Sequence, residues 1–213
     1  MAASDVFEIT LKGKGGHPGY PHESVDAIAM ACRVIEAFQF IISREINPLE
    51  PAAITIGTIH GGYKSNVIAS EVTMTGTIRT QSQNIREIVS SKMKNVLEHI
   101  TAMSGGDYEL KVVPDLPNLE NDEKMAEFVK KVCSMQLGEN NVIFSNTPAM
   151  GSEDFAYYLQ QKPGAFFWIG CGNEKKGINK PLHHPAFDMD EDALAIGSMI
   201  HVAIALEYLK IAL

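Results

Sequence analysis

Asp5-Val6-Phe7-Glu8-Ile9-Thr10-Leu11-Lys12 is the stretch from which the fold can first be predicted. From Phe7 to Lys12, apolar and polar side chains alternate strictly, which is typical of a β-strand with one buried face. A loop rich in glycine and proline follows at residues 13–21. Between Ser24 and Arg44, apolar residues recur at helical spacing. The predicted buried stripe of this helix is Val25, Ile28, Cys32, Ile35 and Phe38.

The alternation of strand and helix is repeated between residues 52 and 112. The predicted elements are strands at Ala52–Ile59 and Val67–Arg79, a helix capped by Asn84 and ended by Ser104-Gly105-Gly106, and a strand through Tyr108, Leu110 and Val112. The order β-α-β-β-α-β predicts a ferredoxin-like domain, a four-stranded antiparallel sheet with both helices on one face. We expect the open face and the edges of that sheet to be covered by another subunit or domain.

The second half of the chain has a different pattern, beginning after a linker predicted at Pro114–Asn118. Its predicted elements are helices capped by Asn121 and Asp190, a helix opened by Gly151-Ser152-Glu153-Asp154-Phe155, and short strands at Val142–Phe144 and Ala165–Gly170. The last of these is an uninterrupted apolar run, typical of a strand buried on both faces. A strand buried on both faces normally lies inside a larger sheet, so this half contains fewer strands than we would expect for a complete layer. The predicted fold class is α/β, of the α+β type, with domains at 5–115 and 116–213.

Composition and charge exclude several classes of function. The net charge of -8 and the pI near 5.3 argue against a nucleic-acid-binding protein, which needs a basic face. We expect no membrane span and no signal peptide, because no apolar run reaches the length of a span and the N-terminus has no basic region followed by an apolar stretch. The three cysteines, Cys32, Cys133 and Cys171, are too widely spaced for a zinc or redox motif. We expect a cytoplasmic chain with reduced thiols, in which all three cysteines are buried as small hydrophobes, Cys32 and Cys133 in helices.

Leu182-His183-His184-Pro185 is the best candidate for a metal ligand. A catalytic metal needs about three protein ligands and one open position. The seven histidines form no HxH, HxxH, HxxxH or HExxH pattern. The histidine pair therefore reads as one part of a larger site.

Six stretches, taken in order, resemble the M20 metallopeptidase/amidohydrolase family, and most closely its aminoacylase-like subfamily of hippurate and indole-acetyl-amino-acid hydrolases. They are Ala2–Ile9; Gly13-Lys14-Gly15-Gly16-His17 with Pro21-His22 and Asp26-Ala27-Ile28; Gly61-Gly62 with Asn66-Val67-Ile68; Gly76–Thr80; Gly151–Phe155; and Leu182–Pro185 with Phe187. Each stretch alone is a weak signal, whereas six in the family's order are a strong one.

The resemblance implies an enzyme of which this chain carries only a part. In the family a catalytic α/β domain is interrupted by a ferredoxin-like lid, and this chain resembles the lid plus the C-terminal part of the catalytic domain. The implied activity is metal-dependent hydrolysis of the amide bond of N-acyl amino acids or small peptides, with zinc or manganese. The implied assembly is a homodimer through the lid, with no nucleic-acid or membrane partner. The family's Cys-Gly-His-Asp stretch and its glutamate pair have no match here, so we expect the chain alone to hold little or no metal and to be inactive.

The resemblance also implies roles for individual residues. His183 is the implied metal ligand, and the family's His-x-Pro spacing leaves His184 a structural role. His17 is the implied catalytic residue, reaching across the dimer to stabilise the oxyanion of the partner's tetrahedral intermediate. Read without the family, each of these is an ordinary loop histidine.

Three further positions are implied to contact substrate. Asn66 would lie near the scissile group, although turn chemistry alone also explains it. Arg79 would clamp a carboxylate in bidentate fashion, although a solvated cation at a strand end is the simpler alternative. Gly151 and Ser152 would bind an anion through free N–H groups at the start of a helix.

Two alternatives remain open. The first is that the chain is a dimerisation or binding module without catalytic activity. The second is that it is one half of a split enzyme, completed by a separate polypeptide. A monomer in solution would count against the first, and an upstream reading frame that encodes the metal-binding half would support the second.

Overall fold

A computed structural model describes residues 1–212. Within that range the chain forms a single four-stranded sheet. The chain divides into two units, which are described separately. Unit 1 comprises residues 1–119 with 148–157, and unit 2 comprises residues 120–147 together with the chain from residue 158 onward.

Unit 1 has the predicted β-α-β-β-α-β order. Its elements are β1 (Ala3–Lys12), α1 (Ala27–Phe40), β2 (Ala52–Gly61), β3 (Glu71–Thr80), α2 (Gln83–Ser104) and β4 (Asp107–Leu116). All neighbouring strands are antiparallel, in the order β2-β3-β1-β4. Side chains of both helices share one core with one face of the sheet. The predicted fold class and the ferredoxin-like arrangement are therefore confirmed.

Phe7 anchors this core. Its ring lies over Gly76, its direct partner on β3, and a Cβ atom at residue 76 would come within 2.4 Å of the Phe7 Cζ atom. Phe38 of α1 meets the same ring edge-on, with the ring centroids 6.4 Å apart. Burial of a side chain of this size stabilises the fold by about 1.5–3 kcal/mol.

The open face of the sheet is polar, so it needs no cover. Glu8, Lys12 and Thr75 lie on it, and Val6, one of its few apolar residues, is 44% exposed. The Oγ1 atoms of Thr58 and Thr75 lie 2.6 Å apart across β2 and β3. The edges formed by β2 and β4 remain unpaired within the described residues.

The buried face of helix α1 agrees only in part with the predicted stripe, of which Phe38 is buried and Val25 and Ile35 pack against the core. Its buried residues are Ala27, Met30, Ala31, Val34 and Phe38. Ile28 is 44% exposed and Cys32 is exposed, so the predictions for these two residues are wrong. The small alanines let the helix approach the sheet closely, whereas the sequence prediction followed the larger apolar residues.

Two boundaries in unit 1 also differ from the predictions, whereas a third agrees. Ser82, rather than Asn84, caps α2 and accepts a hydrogen bond from the Ile85 N–H at 3.3 Å. Gly105 ends α2 as predicted, with φ at 74°. Strand β4 runs through Pro114, so the linker prediction is wrong there. Because β4 is an edge strand, a residue without an N–H is tolerated in it.

Unit 2 has no strand within the described residues. Its main elements are α3 (Glu123–Leu137) and α5 (Asp192–Ala212), and α4 (Ala156–Leu159) is a single turn where the two units meet in sequence. The strands predicted at Val142–Phe144 and Ala165–Gly170 are wrong, because these segments have no neighbouring strand with which to pair.

Asn121 takes the place of a pairing strand. Its amide Nδ2 donates to the Phe166 carbonyl at 2.9 Å, and its Oδ1 accepts from the Phe166 N–H at 2.8 Å. The cap of α3 is instead Asp122, whose carboxylate accepts from the Met125 N–H at 2.9 Å. The predicted capping role of Asn121 is therefore wrong.

The core of unit 2 is small. Among the described residues its buried cluster consists of Val129, Cys133 and Ile200, with Phe128 and Phe167 partly buried against it. Burial raises the pKa of the Cys133 thiol. Trp168 is 61% exposed, so the second half of the apolar run 165–170 is open to solvent, whereas Ala165 and Phe167 pack against the cluster.

Helix α5 is apolar on nearly every side. Of its predicted buried residues Ile200 is buried, whereas Leu194, Leu206 and Leu209 are more than half exposed. The stretch Asp192–Lys210 is long and apolar enough to cross a membrane by length and composition, with a mean hydropathy of 1.4 and 11% of it buried. The prediction that no stretch reaches this length is thus wrong, although a core helix of a soluble protein passes the same test.

Candidate functional site

The glycine-rich loop after β1 is held by two isolated β-bridges. Lys14 pairs with Val25, and Gly16 pairs with Ile68. A Cβ atom at residue 16 would lie 2.1 Å from the Ser24 Oγ atom, so a side chain there would displace the Ser24 hydroxyl. The loop is therefore packed against its neighbours, and His17 follows directly from it.

His17 begins a tight turn formed by residues 17–20. Its carbonyl accepts from the Tyr20 N–H at 2.9 Å, and its ring Nδ1 accepts from the Gly19 N–H at 3.0 Å. The Tyr20 ring lies beside the imidazole, with centroids 5.5 Å apart. The side chain is exposed, and within residues 1–212 its Nε2 atom has no hydrogen bond. The Nε2 position is therefore free to meet an external group.

Asn66 lies in the loop beside His17. It is exposed in a turn closed by the Val67 N–H donating to the Lys64 carbonyl at 3.2 Å. The Ile68 N–H donates to the Gly16 carbonyl at 3.0 Å. In an antiparallel bridge the residue after Gly16 faces the residue before Ile68. The structure therefore brings the loops of His17 and Asn66 together.

Arg79 lies at the opposite end of the sheet. It is half-buried on the open face, between Ser4 and Ala53, and its Nη1 donates to the Ile78 carbonyl at 3.3 Å. The His17 loop adjoins the other end of β3, because Gly13 N–H donates to the Ser70 carbonyl at 2.7 Å. Glu71, which follows Ser70, and Arg79 are eight positions apart on β3, which corresponds to about 26 Å. One copy of unit 1 therefore does not bring Arg79 and His17 together.

Gly151 and Ser152 lie at the Arg79 end. The Ala2 N–H donates to the carbonyls of Ala149 and Gly151, and Gln81 Nε2 donates to the Ala149 carbonyl at 2.7 Å. Helix α4 begins only at Ala156 and has four residues. The prediction of a helix opening at Gly151 is wrong, so the helix-terminus argument for anion binding does not apply. Contact with substrate stays a prediction for both residues.

The sequence analysis missed a buried polar group, which joins helix α2 to strand β1 of the sheet. The Arg86 Nε atom donates to both carboxylate oxygens of Asp5, at 2.8 and 3.0 Å, and this hydrogen bonding raises the pKa of Arg86. The Ser4 hydroxyl donates to the Asp115 carboxylate at 3.2 Å, and the Tyr157 hydroxyl donates to the Asp115 carbonyl at 2.6 Å. Alternation along β1 places Asp5 on the same face as the buried Phe7, but nothing in the sequence indicates that its partner is Arg86.

His183 belongs to unit 2 and has an unusual backbone. Its φ of 68° is left-handed, and among the described residues it is the only non-glycine with such a value. A conformation of this kind costs about 1 kcal/mol or more and is concentrated at functional sites. His184 is engaged in its own turn, where its Nδ1 accepts from the Ala186 N–H at 3.0 Å.

The residues present do not form a metal site by themselves. Within the described range, no group of three or more His, Cys, Asp or Glu side chains is placed to hold a metal ion. Among these residues His183 therefore belongs to no such group, and no catalytic step through a metal is derived from this chain. A groove of about 490 Å³ in unit 2 contains none of the predicted site residues; it is lined by residues 120–123 and 159–164.

Comparison with known proteins identifies the relatives of this chain. Residues 4–103 match the family model of the peptidase dimerisation domain of M20 enzymes. Thermostable carboxypeptidase 1 of Saccharolobus solfataricus is 35% identical over 98% of this chain and 52% of its own length. N-acetylcysteine deacetylase of Bacillus subtilis is 37% identical over 99% of this chain and 53% of its own length.

A solved structure gives the same result. A dinuclear metal-binding peptidase of the M20 family from Bacillus subtilis superposes with a TM-score of 0.76 and 32% identity, over 99% of this chain and 51% of the other. The resemblance to the M20 family is thus confirmed. The chain spans about half the length of the curated relatives it matches.

Proposed function

Because residues 4–103 belong to the peptidase dimerisation domain family, we propose that this chain is the lid and C-terminal catalytic portion of an M20-type, metal-dependent amidohydrolase. The proposed reaction is hydrolysis of the amide bond of N-acyl amino acids or small peptides. One observation carries this proposal. Nearly the whole chain aligns with about half the length of each of two relatives, which are named a carboxypeptidase and an N-acetylcysteine deacetylase.

The proposed roles divide between the two ends of the sheet. His17 and Asn66 share one end, where an imidazole N–H and an amide can donate to an oxygen that becomes negative during hydrolysis. Arg79 lies at the other end, where its guanidinium can pair with a substrate carboxylate. Because about 26 Å of β3 separates these groups, a shared active site would take them from different copies.

We propose a homodimer that forms through strand β2. The sequence of β2 contains no Lys, Arg, Asp, Glu or Pro, whereas β4 carries Lys111 and Pro114 among several such residues. Charges and prolines on an edge strand oppose pairing with another chain. Although Gly57 forms a bulge against β3, β2 is the edge with less protection.

A matched pair of variants tests this interface. Ile59 on β2 is 49% exposed and Val113 on β4 is 46% exposed. We expect Ile59→Lys to convert the dimer to a monomer, measured by light scattering after size exclusion, and Val113→Lys to leave the dimer intact. A dimer that is lost only with Val113→Lys would move the interface to β4.

The intact enzyme is proposed to use zinc or manganese, with His183 as the ligand that this chain supplies. The Bacillus subtilis relative of known structure is described as a dinuclear metal-binding peptidase, which supports a metal but not its identity. The other ligands are proposed to come from sequence that corresponds to the unmatched half of the relatives. We also propose a cytoplasmic location.

Metal content and hydrolysis test the function together. The purified chain should hold much less than one metal per chain by mass spectrometry and should not release acetate from N-acetyl amino acids. Co-expression with the N-terminal half of the Bacillus subtilis deacetylase should restore hydrolysis that a chelator abolishes. Chelator-sensitive turnover by the chain alone would contradict the assignment of a partial site, and no turnover in a stable, metal-loaded complex would contradict the amidohydrolase.

A non-catalytic dimerisation module is the second candidate. The complete core of unit 1 and the lack of a metal-holding group within residues 1–212 favour it. Under this alternative the dimer forms, but no complementing half restores hydrolysis. A split enzyme gives the opposite result, because a separately expressed half then assembles with the chain and completes the site.

A further inference from the structure

Two turns in different units of the chain share one geometry. They are formed by His17-Pro18-Gly19-Tyr20 and His184-Pro185-Ala186-Phe187. In each, the N–H of the fourth residue donates to the carbonyl of the first at 2.9 Å. In each, the N–H of the third residue donates to the histidine Nδ1 at 3.0 Å. The imidazole thus takes the place that Asp or Asn commonly has at the first position of a β-turn, and proline suits the second position.

The hydrogen bond from Gly19 determines where the His17 ring carries its proton. In a neutral imidazole one nitrogen carries a hydrogen and the other accepts. Since Nδ1 accepts from a backbone N–H, the hydrogen of the neutral ring resides on Nε2. A nitrogen that already carries hydrogen can donate, but it can neither remove a proton nor bind a metal.

We infer that Gly19 is a positioning residue that holds neutral His17 as an Nε2–H hydrogen-bond donor. This inference deepens the proposed function, on which its catalytic meaning rests, because it makes His17 a donor to the reacting oxygen and not a general base or metal ligand. The Tyr20 ring, 5.5 Å away, restricts the imidazole from the side. The exposed Nε2 then remains available to a substrate or a second copy.

The second turn indicates which feature of Gly19 matters. A Cβ atom at residue 19 would lie 3.1 Å from the His17 Nδ1 atom, which is a tight contact. Ala186 nevertheless makes the equivalent hydrogen bond at the same length of 3.0 Å. We therefore expect Gly19→Ala to keep the bond after a small shift, whereas Gly19→Pro removes the donor.

Nuclear magnetic resonance of the 213-residue chain, labelled with ¹⁵N, tests the inference directly. At about pH 8.5, above the ordinary histidine pKa, a coupling across the N–H···N bond should connect the Gly19 amide nitrogen with the His17 Nδ1. The same experiment should connect Ala186 with His184, and should give no such signal for His22. A neutral His17 with its hydrogen on Nδ1, or without the coupling, would overturn the inference.

Two substitutions of His17 separate the roles of its nitrogens. His17→Asn keeps an acceptor near the Nδ1 position but loses the donor, whereas His17→Gln keeps a donor near Nε2 and loses the turn acceptor. The Gly19 amide should exchange with solvent at about the parent rate in His17→Asn and about 2–10 times faster in His17→Gln. Equal exchange in all three proteins would contradict the turn.

Hydrolysis by the complemented enzyme gives a separate result. His17→Gln should retain more of kcat than His17→Asn, because it keeps the donor, and the reverse order would contradict the donor role. The proposed function and the inference about the His17 turn can be contradicted separately. An observed N–H···N coupling without any complemented hydrolysis contradicts only the proposed function, whereas hydrolysis with the hydrogen on Nδ1 contradicts only this inference.

Discussion

Unit 1 and unit 2 bury their apolar residues to very different extents. In unit 1, the buried cluster has eighteen side chains, sixteen from the sheet and both helices and two, Ile41 and Ile46, from the segment between α1 and β2. In unit 2 the corresponding cluster has three members, although the unit contains two helices of fifteen and twenty-one residues. The difference follows from the sheet. A helix buries its apolar face most effectively against a second layer, and unit 2 has no sheet to provide that layer within the described residues.

The comparison shows that an apolar sequence pattern does not by itself bury a segment, which also needs a partner to pack against. Ala165–Gly170 has the composition of a buried strand, yet Trp168 is 61% exposed and the segment forms no ladder. Helix α5 likewise exposes most of its apolar surface. Exposed apolar surface of this extent marks a site of interaction or of aggregation.

The largest expected effect is in the core of unit 1. Phe7→Ala should lower the free energy of unfolding of the sheet by about 3–5 kcal/mol, because it removes a fully buried ring and leaves a cavity over Gly76. Phe167→Ala in unit 2 is the matched control and should cost less, since that ring is only partly buried. Denaturant unfolding followed by circular dichroism measures both. Equal losses would show that the two cores are equally well formed.

Breaking the buried ion pair should have the next largest effect. Asp5→Ala leaves the Arg86 guanidinium, whose side chain is 13% exposed, without its partner, and should cost about 3 kcal/mol. The double variant Asp5→Ala with Arg86→Met should recover part of this loss, because no unpaired charge then remains. If the double variant is less stable than the parent chain by the sum of the losses measured for Asp5→Ala and for Arg86→Met alone, the two side chains are not coupled.

A smaller, pH-dependent effect is expected where α5 begins. Hydrogen bonds from Lys176 at 2.6 Å and from Asn173 at 2.5 Å lower the pKa of Asp190 below its ordinary value. A lowered folded-state pKa means that this stabilisation is complete above about pH 4 and is lost as the pH falls through the folded value. Asp190→Asn should remove this pH dependence, measured through the fluorescence of Trp168, the only tryptophan. If the variant loses stability at low pH to the same extent as the parent chain, other carboxylates cause that loss.

The smallest effect is expected on the exposed face of α5. Leu206 is 56% exposed, so Leu206→Gln should change the stability of the isolated chain by no more than about 0.5 kcal/mol. It should reduce aggregation, measured by light scattering at increasing concentration. A loss of several kcal/mol would show that this side of the helix is covered in solution.

Much of unit 1 could be predicted from local pattern because its elements carry their own signals. Alternation along β1 and the glycines after α2 are confirmed features, whereas Ala27 and Ala31 were missed because small residues on a close helix–sheet contact give a weak periodic signal. The buried Asp5–Arg86 pair was also missed, since 81 residues separate its members and only the fold brings them together.

The candidate site was less predictable for a related reason. The sequence identified His17, Asn66, Arg79 and His183 as residue types, but their distribution over two sheet ends and two units depends on tertiary structure. The roles of these residues stay predictions. The turn that fixes Nδ1 of His17 is, by contrast, readable from His-Pro-Gly-Tyr once its counterpart His-Pro-Ala-Phe is recognised.

Native-state hydrogen exchange, read by mass spectrometry, tests the contrast between the two units most directly. Amides in the central strands β1 and β3 and in α2 should exchange only through global opening, and therefore slowest in the chain. Amides in α5 should exchange much faster, because few of its side chains are buried. Protection of α5 equal to that of β1 would contradict the account, since it would mean that unit 2 completes a core of its own without further chain.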